Sequence, residues 1–99
     1  MAKHNAEQHD AEAVESYLRA TAGLPHLRTR RRADVVVIES GPDDDPWPHA
    51  RLRRVGAHQW RLEIATHTGR WETTPLQAQR DELVRLLVES FGWTLTPVD

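Results

Sequence analysis

Six histidines, an aspartate triplet and twelve arginines are the side chains of this 99-residue chain best suited to chemistry, and cysteine is absent. A transition-metal site needs imidazoles or thiolates that converge, and on a helix two histidines converge at a spacing of four. His4 and His9 stand five apart, His58 and His67 flank opposite ends of one predicted strand, and no His-Glu-x-x-His pattern occurs. His26 and His49 complete the set without adding a ligand spacing, so the sequence predicts no metal and no cofactor. Asp43-Asp44-Asp45 offers hard oxygen donors. Calcium loops, however, space their carboxylates on alternate residues and add a turn glycine and a bidentate glutamate, so this run reads as a solvated, self-repelling loop.

Nucleophilic catalysis finds equally little support. Ser16, Ser40 and Ser90 are the only serines, none lies in Gly-x-Ser-x-Gly, and no glycine-rich phosphate cradle occurs. Glu39 and Glu63 form a conceivable acid/base pair across strands, but arginines on the same sheet face are their simpler partners. No catalytic residue is predicted.

The arginines are the best functional lead. Arg28, Arg30 and Arg32 share one face of a predicted strand, Arg51 and Arg53 share another, and Arg61 and Arg70 fall on a hairpin face opposite the tryptophans. Aligned on one sheet, they would form a guanidinium surface able to attract phosphates, stack on bases or hold carboxylates. No recognition helix or aromatic RNA-binding motif accompanies them. The competing expectation is a solvated face on which Glu39, Glu63 and Glu72 neutralise them. The net charge of −2 is unevenly spread: residues 26–71 carry nine arginines against six carboxylates, whereas both ends are acidic. Twelve arginines to one lysine also arise from a GC-rich genome, so composition alone does not specify nucleic acid.

These residues need a scaffold, and the chain length allows one domain, residues 1–99, with a single core of about twenty apolar side chains. Residues 1–5 and 97–99 read as flexible ends. Four tryptophans beside one Phe and one Tyr suggest a core that gains buried area from few residues. The N-terminus lacks the apolar core of a signal peptide, and the longest apolar run, Val35–Ile38, is too short to span a bilayer. A soluble cytoplasmic protein without membrane contact is expected.

Residues 6–20 have helical spacing through Val14, Tyr17, Leu18 and Thr21, with Asn5 as cap, Gly23 as the residue after the end and Pro25 as stop. Arg28–Arg32 reads as an edge strand, Arg32-Ala33-Asp34 as a tight turn, and the β-branched run ending at Glu39 as a strand. Gly41–Pro48 reads as a loop pinning Trp47 between prolines. Ala50–Val55 resumes as a strand, and placing Val55 with Ala50 and Leu52 requires a bulge near Arg53-Arg54. Trp60, Leu62, Ile64 and Thr66 alternate with Arg61, Glu63, Ala65 and His67, and Thr68-Gly69 turns the chain towards Trp71. An even loop puts Trp71 on the Trp60 face, whereas a three-residue loop puts it on the other; the even loop is preferred because it gathers the aromatics. Thr74-Pro-Leu-Gln77 has the form of a capping box opening a second helix, with Leu83, Val84, Leu87, Val88 and Phe91 on its apolar face. Gly92 would end it, and Trp93–Thr96 would return as a short strand or extended tail.

The series Pro25-His-Leu-Arg28, Val35–Glu39, Pro48-His-Ala-Arg-Leu-Arg53, Trp60-Arg-Leu62, Gly69-Arg-Trp71, Leu86-Leu87 and Phe91-Gly-Trp93 resembles a small bacterial family, domain of unknown function 3024. The similarity spans about residues 14–93. It implies a bacterial origin and a small sheet with flanking helices, and transfers no activity and no catalytic residue. This chain departs from the family pattern in lacking a second aromatic after Trp60 and in the order of Phe91 and Trp93.

The expected architecture is α+β: an antiparallel sheet of four to five strands, with an N-terminal and a C-terminal helix packed on one face and the other face open. The expected function is non-catalytic binding through the open face bearing Arg28, Arg30, Arg32, Arg51, Arg53, Arg61 and Arg70. A protein partner or homodimer is favoured over nucleic acid, with an enzyme of unknown reaction as the remaining alternative. Either Val36 and Ile38 or Val35 and Val37 must point outward, which offers an apolar patch for self-association.

Overall fold

The structure, a computed structural model, describes residues 4–66, 68 and 70–96. Its elements run α1 (Gln8–Ser16), a π turn (Tyr17–Thr21), β1 (Arg28–Arg32), β2 (Val35–Ser40), β3 (Trp47–Arg54), β4 (Trp60–Ala65), β5 (Trp71–Ala78), α2 (Arg80–Phe91) and a 3-10 turn (Gly92–Leu95). The strands form one antiparallel meander in the order β1-β2-β3-β4-β5, so the fold is α+β with five strands and two helices. No helix among the described residues is long and apolar enough to cross a membrane. The readings of residues 1–3 and 97–99 as flexible, of Gly69 as a turn residue and of His67 as a strand end lie outside the described residues.

Strand alternation sorts the sheet into two faces. Val36 and Ile38 of β2, Ala50 and Leu52 of β3, and Trp60, Leu62 and Ile64 of β4 are buried together with Val14 and Leu18 of the N-terminal helical segment and Leu83, Val84 and Leu87 of α2. Both helices therefore cover the same face. Each fully buried aliphatic side chain contributes roughly 1.5–3 kcal/mol, which offsets much of the ordering cost of a chain this short. α1 is fastened to β1, since the Thr29 hydroxyl donates to the Ala11 carbonyl at 2.8 Å and the Thr29 N–H to the Glu15 carboxylate at 2.8 Å. It is fastened to α2 by a partly buried ion pair, Arg80 Nη1 to Asp10 Oδ1 at 2.6 Å.

Several boundaries differ from the sequence reading, each for a local reason. Ala6 is not helical: its N–H donates to the Ala33 carbonyl in the β1–β2 turn at 2.9 Å, and the helix begins at Gln8 with Glu7, not Asn5, as its N-cap, the Asp10 carboxylate accepting from the Glu7 N–H at 2.9 Å. The last turn widens to a π turn before Gly23, whose φ of +70° fits the residue after a helix end. β3 is regular from Ala50 to Arg54, and its irregularity lies at the other end: Ile38 pairs with Ala50 but Glu39 with Pro48, leaving His49 as the extra residue. Val55 lies beyond the strand and is exposed.

The largest correction concerns residues 74–78. Thr74-Pro-Leu-Gln77 is not a helix start but the second half of β5, and α2 begins at Arg80. Pro75 is tolerated because β5 is an edge strand, where no neighbour needs its missing N–H. Arg61 pairs with Gln77 and Glu63 with Thr73, so the ladder is interrupted opposite Leu62, where the Thr74 hydroxyl takes over by donating to the Leu62 carbonyl at 2.8 Å. Gly92 is the C-cap of α2, as read, but the residues after it do not return as a strand or extended tail: Gly92–Leu95 form a 3-10 turn that buries Leu95.

The tryptophans do not form one core. Trp60 is buried, but Ala65 pairs with Trp71 and the Thr66 N–H donates to the Arg70 carbonyl at 2.8 Å. The hairpin connection is therefore odd, and Trp71 emerges on the face opposite Trp60. Trp47 and Trp93 are exposed.

Candidate binding face

The uncovered side of the sheet is built by strand parity. Arg28, Arg30 and Arg32 of β1 lie opposite Glu39, Val37 and Val35 of β2. Val37 and Val35 lie opposite Arg51 and Arg53 of β3, which in turn face Glu63 and Arg61 of β4. Six of the seven arginines singled out from the sequence thus share one face. Arg70 does not: it pairs with Thr66 beyond the strand end, with the parity of Ile64 rather than Glu63, and lies exposed on the hairpin connection.

Two buried glutamates organise the arginines. Glu39 lies 3.6 Å from Arg28 Nε and 3.4 Å from Arg30 Nη2. Glu63 accepts from Arg51 Nε at 2.5 Å, Arg53 Nε at 3.3 Å and the Thr73 hydroxyl at 3.2 Å. Burial alone would raise the pKa of Glu63, but the hydrogen bond and charge of Arg51, the charge of Arg53 and the Thr73 hydroxyl outweigh it and hold the carboxyl below its ordinary range. Asp34, in the β1–β2 turn, pairs with Arg53 Nη1 at 2.9 Å. Burial works against the Arg53 cation, yet Asp34 and Glu63 together raise its pKa. Glu72, expected to help neutralise this face, is paired with Ile64 and so belongs to the other side.

Arg61 finds a neutral partner. Turned with its carbonyl towards β4, the Gln77 amide accepts from Arg61 Nη2 at 2.8 Å and Nε at 3.2 Å. Arg32 is exposed and has no carboxylate partner among the described residues. Arg28 also reaches Asp43 at 3.7 Å, so the six guanidiniums of the face meet Asp34, Glu39, Asp43 and Glu63 and keep a positive excess.

Val35 and Val37 do point outward, but they are only 6% and 7% exposed. Arginine stems, Pro46, Pro48 and Trp71 cover them, so the valines floor a shallow groove of about 450 Å³ rather than presenting the apolar patch expected for self-association. Trp71 stacks on Arg51, whose guanidinium carbon lies 4.3 Å from the ring centre. The small Ala65 between them on β4 leaves room for that contact. Trp71, Asp34, Gln77 and the proline wall belong to this surface and were missed in the sequence. The signal for Trp71 was the three-residue alternative for its hairpin.

A second polar cluster closes one end of the sheet. His49, the bulged residue, receives the Ser40 hydroxyl at Nε2 (2.7 Å), while its Nδ1 lies 2.7 Å from the Thr94 carbonyl. A carbonyl can only accept, so Nδ1 carries the proton and Nε2 is free to accept from Ser40. His26 Nε2 lies 2.6 Å from the Leu95 carbonyl, and the two rings meet edge to face at 6.2 Å. Burial, together with the charge of His26, lowers the His49 pKa against the opposing effect of the Thr94 hydrogen bond, favouring the neutral ring. The Ser40–His49 pair has the geometry of an activated nucleophile, but both residues are buried and Ser40 opens into neither the arginine groove nor the neighbouring cleft. The two hydrogen bonds of His49 tie the 3-10 turn, through Thr94, to β2 and β3. Among the described residues no three His, Asp or Glu side chains converge as a metal site. Comparison of the chain with protein-family models, with curated proteins and with solved structures finds no match.

Proposed function

We propose that this chain is a non-catalytic interaction module that takes an acidic segment of a partner protein across its open sheet face. The observation that carries the reading is the groove itself: rows of guanidiniums held in register by Glu39 and Glu63 above a floor of Val35 and Val37. Such a surface offers a peptide both charge-assisted hydrogen bonds for carboxylates and an apolar floor for the side chains between them. The arginines are pre-ordered, so less conformational freedom is lost on binding.

Nucleic acid fits the same face less well. The face's one indole, Trp71, is already stacked on Arg51 and so is not free to stack on a base, whereas the apolar floor of Val35 and Val37 suits the side chains of a peptide. A second copy pressed face to face would bring charge of the same sign, which favours a different partner over a symmetric dimer. An acid/base role is disfavoured because Glu63 is held ionised by two arginines. A cytoplasmic setting goes with this reading.

The test is a titration of the full chain with a short synthetic peptide of glutamate, aspartate and a few leucines, alongside single-stranded DNA, at low and high salt. The expected result is saturable peptide binding that weakens by roughly tenfold or more in Arg32→Glu/Arg61→Glu, with DNA binding weaker and more steeply salt-dependent. Tighter binding of DNA, or peptide binding indifferent to the double substitution, would overturn the proposal.

A further inference from the structure

Trp47 and Trp93 serve neither the core nor the arginine face. They are 49% and 71% exposed, yet both line one cleft of about 560 Å³ at the end of the sheet where β3 begins, with Asp45, Pro46, Thr66 and Thr96 around them. A single exposed apolar side chain needs no explanation, but two indoles sharing a cleft mark an interaction site.

Both rings stand on fixed supports. Trp47 is flanked by Pro46 and Pro48, and its ring packs so closely on Gly41, whose φ is +84°, that a Cβ there would collide with it. Trp93 belongs to the 3-10 turn that His49 and His26 clasp through the Thr94 and Leu95 carbonyls and that buried Leu95 anchors. The cleft is thus prepared before any occupant arrives.

Its electrostatics select the sign of that occupant. Among the described lining residues, Asp45 is the one carboxylate and no arginine or lysine takes part; Asp44 precedes it, while Asp43 is paired with Arg28 on the other side of the loop. Indole faces carry negative potential and attract cations, and the Asp45 carboxylate adds an attraction of the same sense. An anion would meet repulsion from both.

We propose that this cleft receives a basic segment of a partner protein, with an arginine or lysine side chain seated against the Trp47 and Trp93 indoles and Asp45 as its counter-charge. The proposal is independent of the sheet-face reading, and its occupant has the opposite sign. The two surfaces meet along Pro46 and Pro48, which line both.

The experiment is an amide and indole N–H NMR titration of the full chain with a short synthetic peptide of arginines and prolines, and separately with tetramethylammonium chloride. The basic peptide should move the Trp47 and Trp93 indole signals saturably and leave Trp60 in place. Trp93→Ala should weaken binding by roughly tenfold, and Asp45→Asn by several-fold. Trp93 is exposed, so its removal should preserve the fold, as an unchanged Trp60 indole signal and unchanged backbone amide signals in β2 and β4 would verify. Absence of indole shifts, or equal binding by Trp93→Ala, would overturn the proposal. Tetramethylammonium binding as tightly as the peptide would overturn it too, by assigning the cleft to a small organic cation.

Discussion

Glu63 is a buried carboxylate that accepts from two arginines and a threonine, so its removal should be felt both in stability and in the order of the face. Glu63→Gln keeps the shape but removes the charge, and should destabilise the protein by roughly 1–3 kcal/mol, measured by urea denaturation at neutral pH. The pH dependence has a definite sign. Because the folded carboxyl titrates below its ordinary value of 4.5, the unfolded chain binds the proton first, and the contribution of Glu63 is present above that value and fades as pH falls through the folded pKa. Glu63→Gln should therefore flatten the acid limb of the stability curve; an unchanged slope would show that Glu63 is not paired as described. The alternation Arg61, Glu63, Ala65 made the face of this residue legible in the sequence. Its partners were only half legible, since nothing in a one-dimensional pattern says that Arg51 and Arg53 converge on Glu63 while Glu72 turns away.

At the scale of elements, β2 and the body of α2 were readable because their patterns are strong: a β-branched run in one, and an apolar stripe at Leu83, Val84 and Leu87 in the other. The stretch 74–78 was misread because Thr-Pro-Leu-Gln satisfies a helix-start pattern locally, whereas the open edge of β4 decides its fate through tertiary pairing. Trp71 was misplaced for a related reason, since a change of one residue in a hairpin loop inverts every later side chain of that strand. Thr74 has a specific task in β5, donation to the Leu62 carbonyl where the ladder is interrupted. Thr74→Val removes that donor at nearly constant volume and should cost about 1–2 kcal/mol, with faster hydrogen exchange in β5 than in β3. A neutral Thr74→Val would mean that the interrupted ladder needs no bridge.

Over the whole molecule, the helices take one face of the sheet and leave the other to arginines, so the fold and the candidate site are two consequences of one alternation. Val35 and Val37 point to the open face while Val36 and Ile38 point to the core, which places a built-in marker of sidedness on a single strand. The sequence contained that alternation but not its sense, because four successive aliphatic residues do not say which pair is inside. The most direct test is a methyl NMR titration with the acidic peptide. The Val35 and Val37 methyls and the Trp71 indole should shift saturably, with Val36 and Ile38 unmoved. Shifts confined to Val36 and Ile38, or to residues away from the sheet, would contradict the proposal.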